Sequence, residues 1–159
     1  MLKTKYLKEL VVTLLLISTS LLANKNEIKF ENNVEEAFKI AMSEKKSVLV
    51  YFSGSDWCRP CMQLHKEVFE SESFSNFAAS NLVIVRLDFP AKSENKLSEE
   101  QTEYNNSMAK ELNKKGIFPL MILFDSNNNN LIEIAGYNRL GSEKIIEQFK
   151  SKMQNDSKI

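Results

Sequence analysis

The sequence predicts an α/β fold in which a mixed central sheet lies between two layers of helices. Through the first two thirds of the chain, apolar runs typical of buried strands alternate with stretches of helical periodicity, which favours parallel strands. Two later apolar runs flank an Asn-rich turn, as in an antiparallel hairpin. A chain of 159 residues with 43% hydrophobic content is sufficient for one domain with an ordinary core.

Strands and helices are predicted to alternate in the first half of the chain. The run Ser47–Ser53 is mainly apolar and β-branched and ends at Gly54, as expected of a strand buried on both faces. Pro60 suits the first turn of the following helix, where a backbone N–H would have no helical partner. The predicted elements are an edge strand at 28–30, a helix at 34–41, strands at 47–53 and 81–88, and helices at 59–69 and 72–79.

The second half is predicted to hold a charged loop, a helix, the hairpin and a last helix. The segment Pro90–Gln101 carries many charges without apolar periodicity, which indicates an exposed loop. Gly116 closes the next helix, and Asn127–Asn130 belong to the hairpin turn. The predicted elements are a helix at 102–115, strands at 120–124 and 131–135, and a helix from 142.

Residues 1–23 have the layout of a cleaved secretory signal. Three lysines precede the apolar run Leu10–Ile17, which is shorter than the roughly 20 residues of a membrane span. We expect cleavage near Ala23, with an uncleaved membrane anchor as the alternative. The rest of the chain is then one domain, residues 24–154, and a disordered tail, residues 155–159, and the protein is exported to the periplasm.

The charge balance argues against a nucleic-acid partner. Lys plus Arg and Asp plus Glu both number 21, so the chain has no cationic excess to attract phosphate backbones. We therefore expect the partners of this protein to be other proteins.

The two cysteines, Cys58 and Cys61, lie between a predicted strand and a predicted helix. A thiolate at a helix N-terminus is stabilised by the helix dipole and by unpaired N–H groups, and thiols in such positions have pKa values of roughly 3.5 to 7.5. Cys58 is therefore the predicted nucleophile, and Cys61, one turn inward, the predicted resolving cysteine. Arg59 adds positive charge beside the thiolate, and Pro60 stiffens the turn.

Other uses of a cysteine pair fit the sequence less well. A zinc site needs four ligands, and His65 is the only histidine available to join the two cysteines. Covalent haem attachment requires a histidine where Met62 stands. A purely structural disulfide remains open, although so small a loop constrains the unfolded chain little. We expect neither a metal nor an organic cofactor.

Four segments of the chain match a known family in residue type and in order. They are Leu49–Phe52, Asp56-Trp-Cys-Arg-Pro-Cys61, Gly116-Ile-Phe-Pro119 with the strand after it, and Gly136-Tyr137. Together they resemble the thioredoxin superfamily. Within it, the stretch Lys66–Phe74 and the strand ending in Asp88 resemble exported thioredoxin-like domains, including the C-terminal domain of the membrane thiol–disulfide reductase.

The resemblance implies a thioredoxin-like three-layer α/β/α sandwich with a defined client-binding surface. Pro119 would be a cis-proline facing the cysteines, and Phe118 would offer backbone groups to an extended substrate chain. Trp57 would be an exposed aromatic contact beside Cys58. The alternatives are that Pro119 simply opens a strand, where proline is tolerated, and that Trp57 is buried in the core.

The sequence departs from the family at the buried acid that thioredoxins usually carry in the strand before the cysteines. The corresponding positions hold Tyr51 and Phe52. Asp56 and Glu67 are candidate substitutes, or else solvated surface charges, and His65 either faces the cysteines or faces solvent. The loop at 90–101 is a second departure; it either docks a partner or is a tolerated insertion, and we favour the insertion.

The predicted function is thiol–disulfide exchange with protein disulfides, fed by an upstream thiol–disulfide electron donor such as a membrane reductase. Pro60 favours a reductase, whereas Arg59 favours an oxidant. Two other classes remain open. One is a redox-silent binding module that presents Trp57 and Phe118 to a client, and the other is a metallochaperone that uses Cys58, Cys61 and His65.

Overall fold

The structure is a computed structural model and describes residues 27–156. The predicted signal at 1–23 and the last three residues of the predicted tail lie outside the described residues. The predicted three-layer fold is confirmed. Five strands form one mixed sheet in the order β1-β3-β2-β4-β5, with helices on both faces.

The described residues contain five strands and five helices. Two short helical segments accompany them, a π-helical turn that continues α2 and a single 3₁₀ turn after β3. In chain order the elements are β1 (Phe30–Glu31), α1 (Val34–Glu44), β2 (Ser47–Ser53), α2 (Arg59–Leu64) with its π-helical turn (His65–Phe69), α3 (Glu72–Asn81), β3 (Leu82–Asp88), the 3₁₀ turn (Ser93–Asn95), α4 (Glu99–Leu112), β4 (Leu120–Phe124), β5 (Asn130–Ala135) and α5 (Gly141–Asp156).

The strand pairing determines where the cysteines lie. Strand β2 is central, parallel to β3 and antiparallel to β4, and its seven residues are all buried. Its last residue, Ser53, pairs with Asp88 at the end of β3. Since the carboxyl ends of parallel strands meet at one edge of the sheet, the loops after β2 and β3 begin side by side. Cys58 and Cys61 follow β2 and therefore lie at this edge.

Side chains alternate between the two faces of the sheet, and each face has its own core. Leu49 and Tyr51 of β2 pack against α2, α3 and α5 on one face. Val48, Val50 and Phe52 pack against α1 and α4 on the other face. Because helices cover both of its faces, β2 is apolar along most of its length, which is the pattern that predicts a strand buried on both faces.

Helix α4 differs from its prediction at both ends. It begins at Glu99, three residues earlier than predicted, because the Ser98 hydroxyl accepts a hydrogen bond from Gln101 N at 3.2 Å and caps the helix. It ends at Leu112, and Gly116 lies beyond it with φ 61°. The predicted exposed loop is thus shortened to residues 90–98.

The last helix, α5, extends to Asp156 and so includes two residues that were assigned to the tail. Between residues 27 and 156, no helix combines the length and the apolar composition that crossing a membrane requires.

Candidate active site

Cys58 and Cys61 form a disulfide at the N-terminus of α2, with Cα atoms 5.2 Å apart. Cys58 is the N-cap residue, and its Sγ accepts a hydrogen bond from the Cys61 backbone N–H at 3.2 Å. Its own N–H donates to the Gly54 carbonyl at 2.9 Å. Cys58 is 4% exposed and Cys61 1% exposed. The helix N-terminus is therefore directed at the sulfur of Cys58, where a thiolate would be stabilised.

Tyr51 occupies one of the two positions that correspond to the buried acid of thioredoxins, and its side chain contacts the backbone of Cys61. Its hydroxyl donates a hydrogen bond to the Cys61 carbonyl at 3.3 Å. Burial raises the pKa of Tyr51, so the hydroxyl stays protonated and remains a donor at neutral pH. Phe52 points into the opposite core and stacks with Phe89, with ring centres 6.4 Å apart. These two positions supply no carboxylate to the cysteines.

Trp57 lies beside Cys58 and is 49% exposed. Its indole Nε1–H donates to the Phe89 carbonyl at 2.6 Å, and its ring meets that of Phe118 edge-on at 5.4 Å. The ring rests on Gly54, where an added β-carbon would lie 2.6 Å from an indole carbon and 2.7 Å from the indole nitrogen. Glycine at position 54 thus leaves the space that the indole occupies.

Replacing Gly54 with alanine is expected to displace the indole of Trp57 without unfolding the protein. Loss of the bond to Phe89 and of the contact with Phe118 should expose the ring and shift its fluorescence emission to the red. Reduction of a protein disulfide should fall roughly fivefold, which corresponds to about 1 kcal/mol, the range of one contact of this kind. Stopped-flow reduction of a small aromatic disulfide, which does not need the surface, should change less than twofold. Ser80→Ala, at an exposed residue of α3, is the control and should leave both rates and the emission unchanged.

The ring of Phe118 contacts that of Trp57, and the peptide bond between Phe118 and Pro119 is cis. Phe118 is half-buried, and its ring lies 5.4 Å from that of Trp57 and 5.3 Å from that of Phe89. Pro119 is buried, and its carbonyl accepts a hydrogen bond from Gly136 N at 2.8 Å. The three rings form a continuous aromatic surface next to the cysteines, to which we refer as the aromatic surface (Trp57, Phe89, Phe118).

The structure gives Asp56 a structural role. Its carboxylate accepts hydrogen bonds from Ala91 N at 2.8 Å, Lys92 N at 3.0 Å and Asn95 Nδ2 at 3.0 Å. These bonds, with that from Ala91 the largest contributor, hold the pKa of Asp56 below its ordinary value. Asp56 is therefore an ionised anchor for the loop after β3.

Glu67 and His65 likewise have partners of their own. The Glu67 carboxylate accepts a hydrogen bond from the Tyr137 hydroxyl at 2.6 Å. His65 Nε2 lies 3.6 Å from Glu70 Oε1, and the His65 ring packs against those of Phe30 and Phe69. Burial lowers the pKa of His65. These contacts direct neither side chain to the cysteine sulfurs.

Arg59 and Pro60 form the exposed first turn of α2 directly after Cys58. The role of these two residues in tuning the cysteine pair stays a prediction. Among residues 27–156, no three His, Cys, Asp or Glu side chains are grouped so that they could hold a metal ion.

Sequence reasoning missed three residues that shape the site, namely Gly54, Phe89 and Asn113. Phe89 follows the end of β3, and its position beside the cysteines could have been found from the rule that parallel strands end at one edge. Asn113 is buried, and its side chain bonds both Ile117 N at 2.8 Å and Ile117 O at 2.9 Å, which fixes the loop before Phe118. An asparagine at a helix end gives only a general signal for a turn.

Comparison with known proteins points to one family. The family model described as Thioredoxin-like matches residues 29–126. The disulfide bond reductase DsbH of Chlamydia pneumoniae is 29% identical over 119 residues, which cover 75% of this chain and 69% of that protein. The thioredoxin-related protein DsbJ of the same organism is 29% identical over 144 residues, but the match covers 87% of this chain and only 40% of that protein.

A solved structure agrees with the sequence comparison. The DsbH oxidoreductase has a TM-score of 0.71 to this chain at 27% identity, with 80% of this chain and 85% of that chain covered. The family match spans more than half of this chain and contains the strand β2, the cysteine pair, the helix after it and Pro119. The chain belongs to the thioredoxin-like family.

Proposed function

We propose that this thiol–disulfide oxidoreductase reduces disulfides of exported proteins, with Cys58 as the attacking thiolate and Cys61 as the resolving thiol. The observation that carries the proposal is the position of Cys58 at the N-cap of α2, where its Sγ already accepts the Cys61 N–H. The same hydrogen bond and the helix dipole would stabilise a thiolate at Cys58. Cys61 is more deeply buried, which suits a thiol that meets only the mixed disulfide.

The reaction runs in two exchange steps. The Cys58 thiolate attacks one sulfur of the client disulfide, the client S–S bond breaks, and one client cysteine leaves as a thiolate that takes a proton from water. Cys61 then loses its proton and attacks the sulfur of Cys58, which closes the Cys58–Cys61 disulfide and releases the second client thiolate. The client gains two electrons, the protein loses two, and an upstream dithiol donor returns them.

The neighbours of the cysteines would bind the client and tune the pair. The aromatic surface offers exposed ring area to an extended client chain, and Pro119, joined to Phe118 by a cis peptide bond, would shape the backbone that the client meets. Arg59 adds positive charge near the thiolate, and Pro60 removes one backbone donor from the first turn of α2. Tyr51 keeps the Cys61 carbonyl in place through its hydroxyl.

Export and the identity of the donor are further parts of the proposal. The sequence of residues 1–23, with lysines ahead of a short apolar run, supports a signal that is cleaved near Ala23 and a periplasmic location. In an oxidising compartment a dithiol that reduces other proteins needs a constant supply of electrons. A membrane reductase with an exposed dithiol is the donor that meets this need.

The reduction potential of the Cys58–Cys61 pair tests the direction of electron flow. We expect a value near the thioredoxin end of the family range, about −270 mV, and well below the value of about −120 mV of a strong oxidant. The measurement equilibrates the domain with defined thiol and disulfide mixtures and follows the fluorescence of Trp57, the one tryptophan of the chain.

Three other results would favour an alternative function. A value near −120 mV would replace the reductase with an oxidase. A pair that does not equilibrate with the mixtures would favour the redox-silent binding module. Stoichiometric metal on the purified reduced protein after dialysis would favour the metallochaperone.

A further inference from the structure

A groove of about 320 Å³ opens beside the aromatic surface, between the loop after β3 and the start of α4. We call it the loop groove. Much of its lining is apolar and comes from Phe89, Pro90, Ala91 and Leu97. Lys92 and Lys96, both exposed, also line it. The segment that was interpreted from the sequence as a tolerated insertion therefore builds a concave surface.

The loop groove is held in shape by hydrogen bonds from the cysteine loop. The Asp56 carboxylate, two residues before Cys58, binds Ala91 N, Lys92 N and Asn95 Nδ2. On the inner side, the buried Asn105 donates from its side chain to the Asp88 carbonyl at 2.8 Å. A surface that is ordered before binding loses less conformational entropy when a ligand arrives, which favours a binding role.

The loop groove is continuous with the cysteine site through Phe89. This residue lines the groove, accepts the indole N–H of Trp57 at 2.6 Å and lies 5.3 Å, ring to ring, from Phe118. The ring centres of Trp57 and Phe118 are 5.4 Å apart, and those of Phe118 and Phe89 are 5.3 Å apart. An extended chain advances about 3.3 Å per residue, so about three residues cross the aromatic surface from Trp57, beside Cys58, to the groove.

Two lysines give the loop groove exposed positive charge. Both carboxylate oxygens of Asp88, the acidic residue of the lining, are held by Ser55, at 2.9 Å from its N–H and 2.5 Å from its hydroxyl. Glu94 lies on the same loop but does not line the groove. Of the charged side chains in the lining, Lys92 and Lys96 are the exposed ones, and they complement a carboxylate.

We propose that the loop groove binds the segment of a client protein next to its reactive cysteine. A bulky apolar side chain about three residues from that cysteine enters the groove, and an acidic residue adjacent to it pairs with Lys92 and Lys96. The inference rests on the proposed function, because it names the substrate class of that site. Clients would then be selected by sequence around the cysteine as well as by the disulfide itself.

The test separates binding from chemistry by using peptides without cysteine. The probe peptides carry serine in place of the client cysteine, leucine three residues before or after it, and aspartate next to the leucine. Binding to the oxidised protein is followed by the fluorescence of Trp57. We expect at least one of the two peptides to bind, and Lys92→Glu/Lys96→Glu to weaken its binding about tenfold at low ionic strength, with the difference shrinking in ~1 M salt.

Two controls match the variant and the peptide. Lys110→Glu/Lys152→Glu makes the same change in net charge at exposed lysines outside the groove and should alter binding less than twofold. A peptide with serine for leucine and asparagine for aspartate should bind at least tenfold more weakly to the unmodified protein. Leu97→Ser should weaken binding of the leucine peptide as well, because Leu97 lines the apolar part.

Equal binding of the two kinds of peptide, no binding of either, or equal weakening by both lysine pairs would overturn the loop groove as a client site. Reduction of a small aromatic disulfide is measured on the same preparations and should be unchanged in Lys110→Glu/Lys152→Glu. If the unmodified protein does not reduce the small disulfide, the proposed function is contradicted, whereas the peptide-binding result is still valid.

Discussion

We expect Cys58→Ser to abolish disulfide reduction, and Cys61→Ser to accumulate a covalent complex with its client. Serine at position 58 removes the thiolate that the N-terminus of α2 stabilises, and the remaining buried thiol at position 61 is 1% exposed. The loss of steady-state reduction should be on the order of a thousandfold or more for either variant, as is usual when a covalent nucleophile is removed. The measurement is reduction of a protein disulfide, with complexes detected on a non-reducing gel.

The two variants are expected to differ in what they retain. Cys61→Ser keeps the attacking thiolate and should form a mixed disulfide that dithiothreitol releases, whereas Cys58→Ser and the double variant should form none. Met62→Ala, at an exposed residue next to Cys61, is the matched control and should turn over normally. Complex formation by Cys58→Ser in place of Cys61→Ser would reverse the assigned roles of the two cysteines.

The central strands β2, β3 and β4 could be predicted from the sequence because they are largely buried on both faces. Such strands appear as continuous apolar runs, and Ser47–Ser53 was assigned with its observed bounds. The run that became β3 was assigned to within one residue. The antiparallel hairpin followed from the Asn-rich turn, where Asn128 has φ 68° and the Asp125 side chain accepts hydrogen bonds from two backbone N–H groups.

Where interactions between distant residues decide the conformation, local patterns were insufficient. The loop at 90–98 has no apolar periodicity, yet Asp56, more than thirty residues earlier, orders it through three hydrogen bonds. The predicted helix at 59–69 is continuous, but its second half is a π-helical turn in which Glu70 N donates to the His65 carbonyl. That turn packs Phe69 against Phe74 and also against Tyr51 on strand β2, a contact across the cysteine loop that local patterns do not reveal.

The residues of the candidate active site show the same difference between local features and contacts between distant residues. The cysteine pair was identified because its chemistry requires two thiols at a helix N-terminus, and both residues are local in sequence. Phe89 and Gly54 were missed because their roles exist only where two loops meet, one giving a carbonyl to Trp57 and the other giving space to its ring. The role of Asp56 was missed for the same reason.

Phe69→Ala is expected to lower the free energy of unfolding by about 3 to 5 kcal/mol, the range for removal of a buried phenylalanine side chain. Phe69 is 3% exposed, and its ring lies 4.9 Å from Tyr51, 5.3 Å from Phe74 and 5.4 Å from Phe30. It therefore joins the helix after the cysteines to the strand before them. Urea denaturation of the oxidised protein, followed by circular dichroism, measures the change. Since small domains are stable by about 5 to 15 kcal/mol, the variant should still fold in the cold.

The controls distinguish a packing defect from a defect of the active site. Phe69→Leu keeps most of the apolar volume and should cost about 1 kcal/mol, and Met42→Ala, at a residue that is 65% exposed, should change stability by less than about 0.5 kcal/mol. A cost for Phe69→Ala no larger than that for Met42→Ala would contradict the aromatic packing described here. When Phe69→Ala is combined with Cys61→Ser, the mixed disulfide should still form below the unfolding transition. The thiolate at Cys58 depends on the first turn of α2, and Phe69 supports the turn that ends this helical segment.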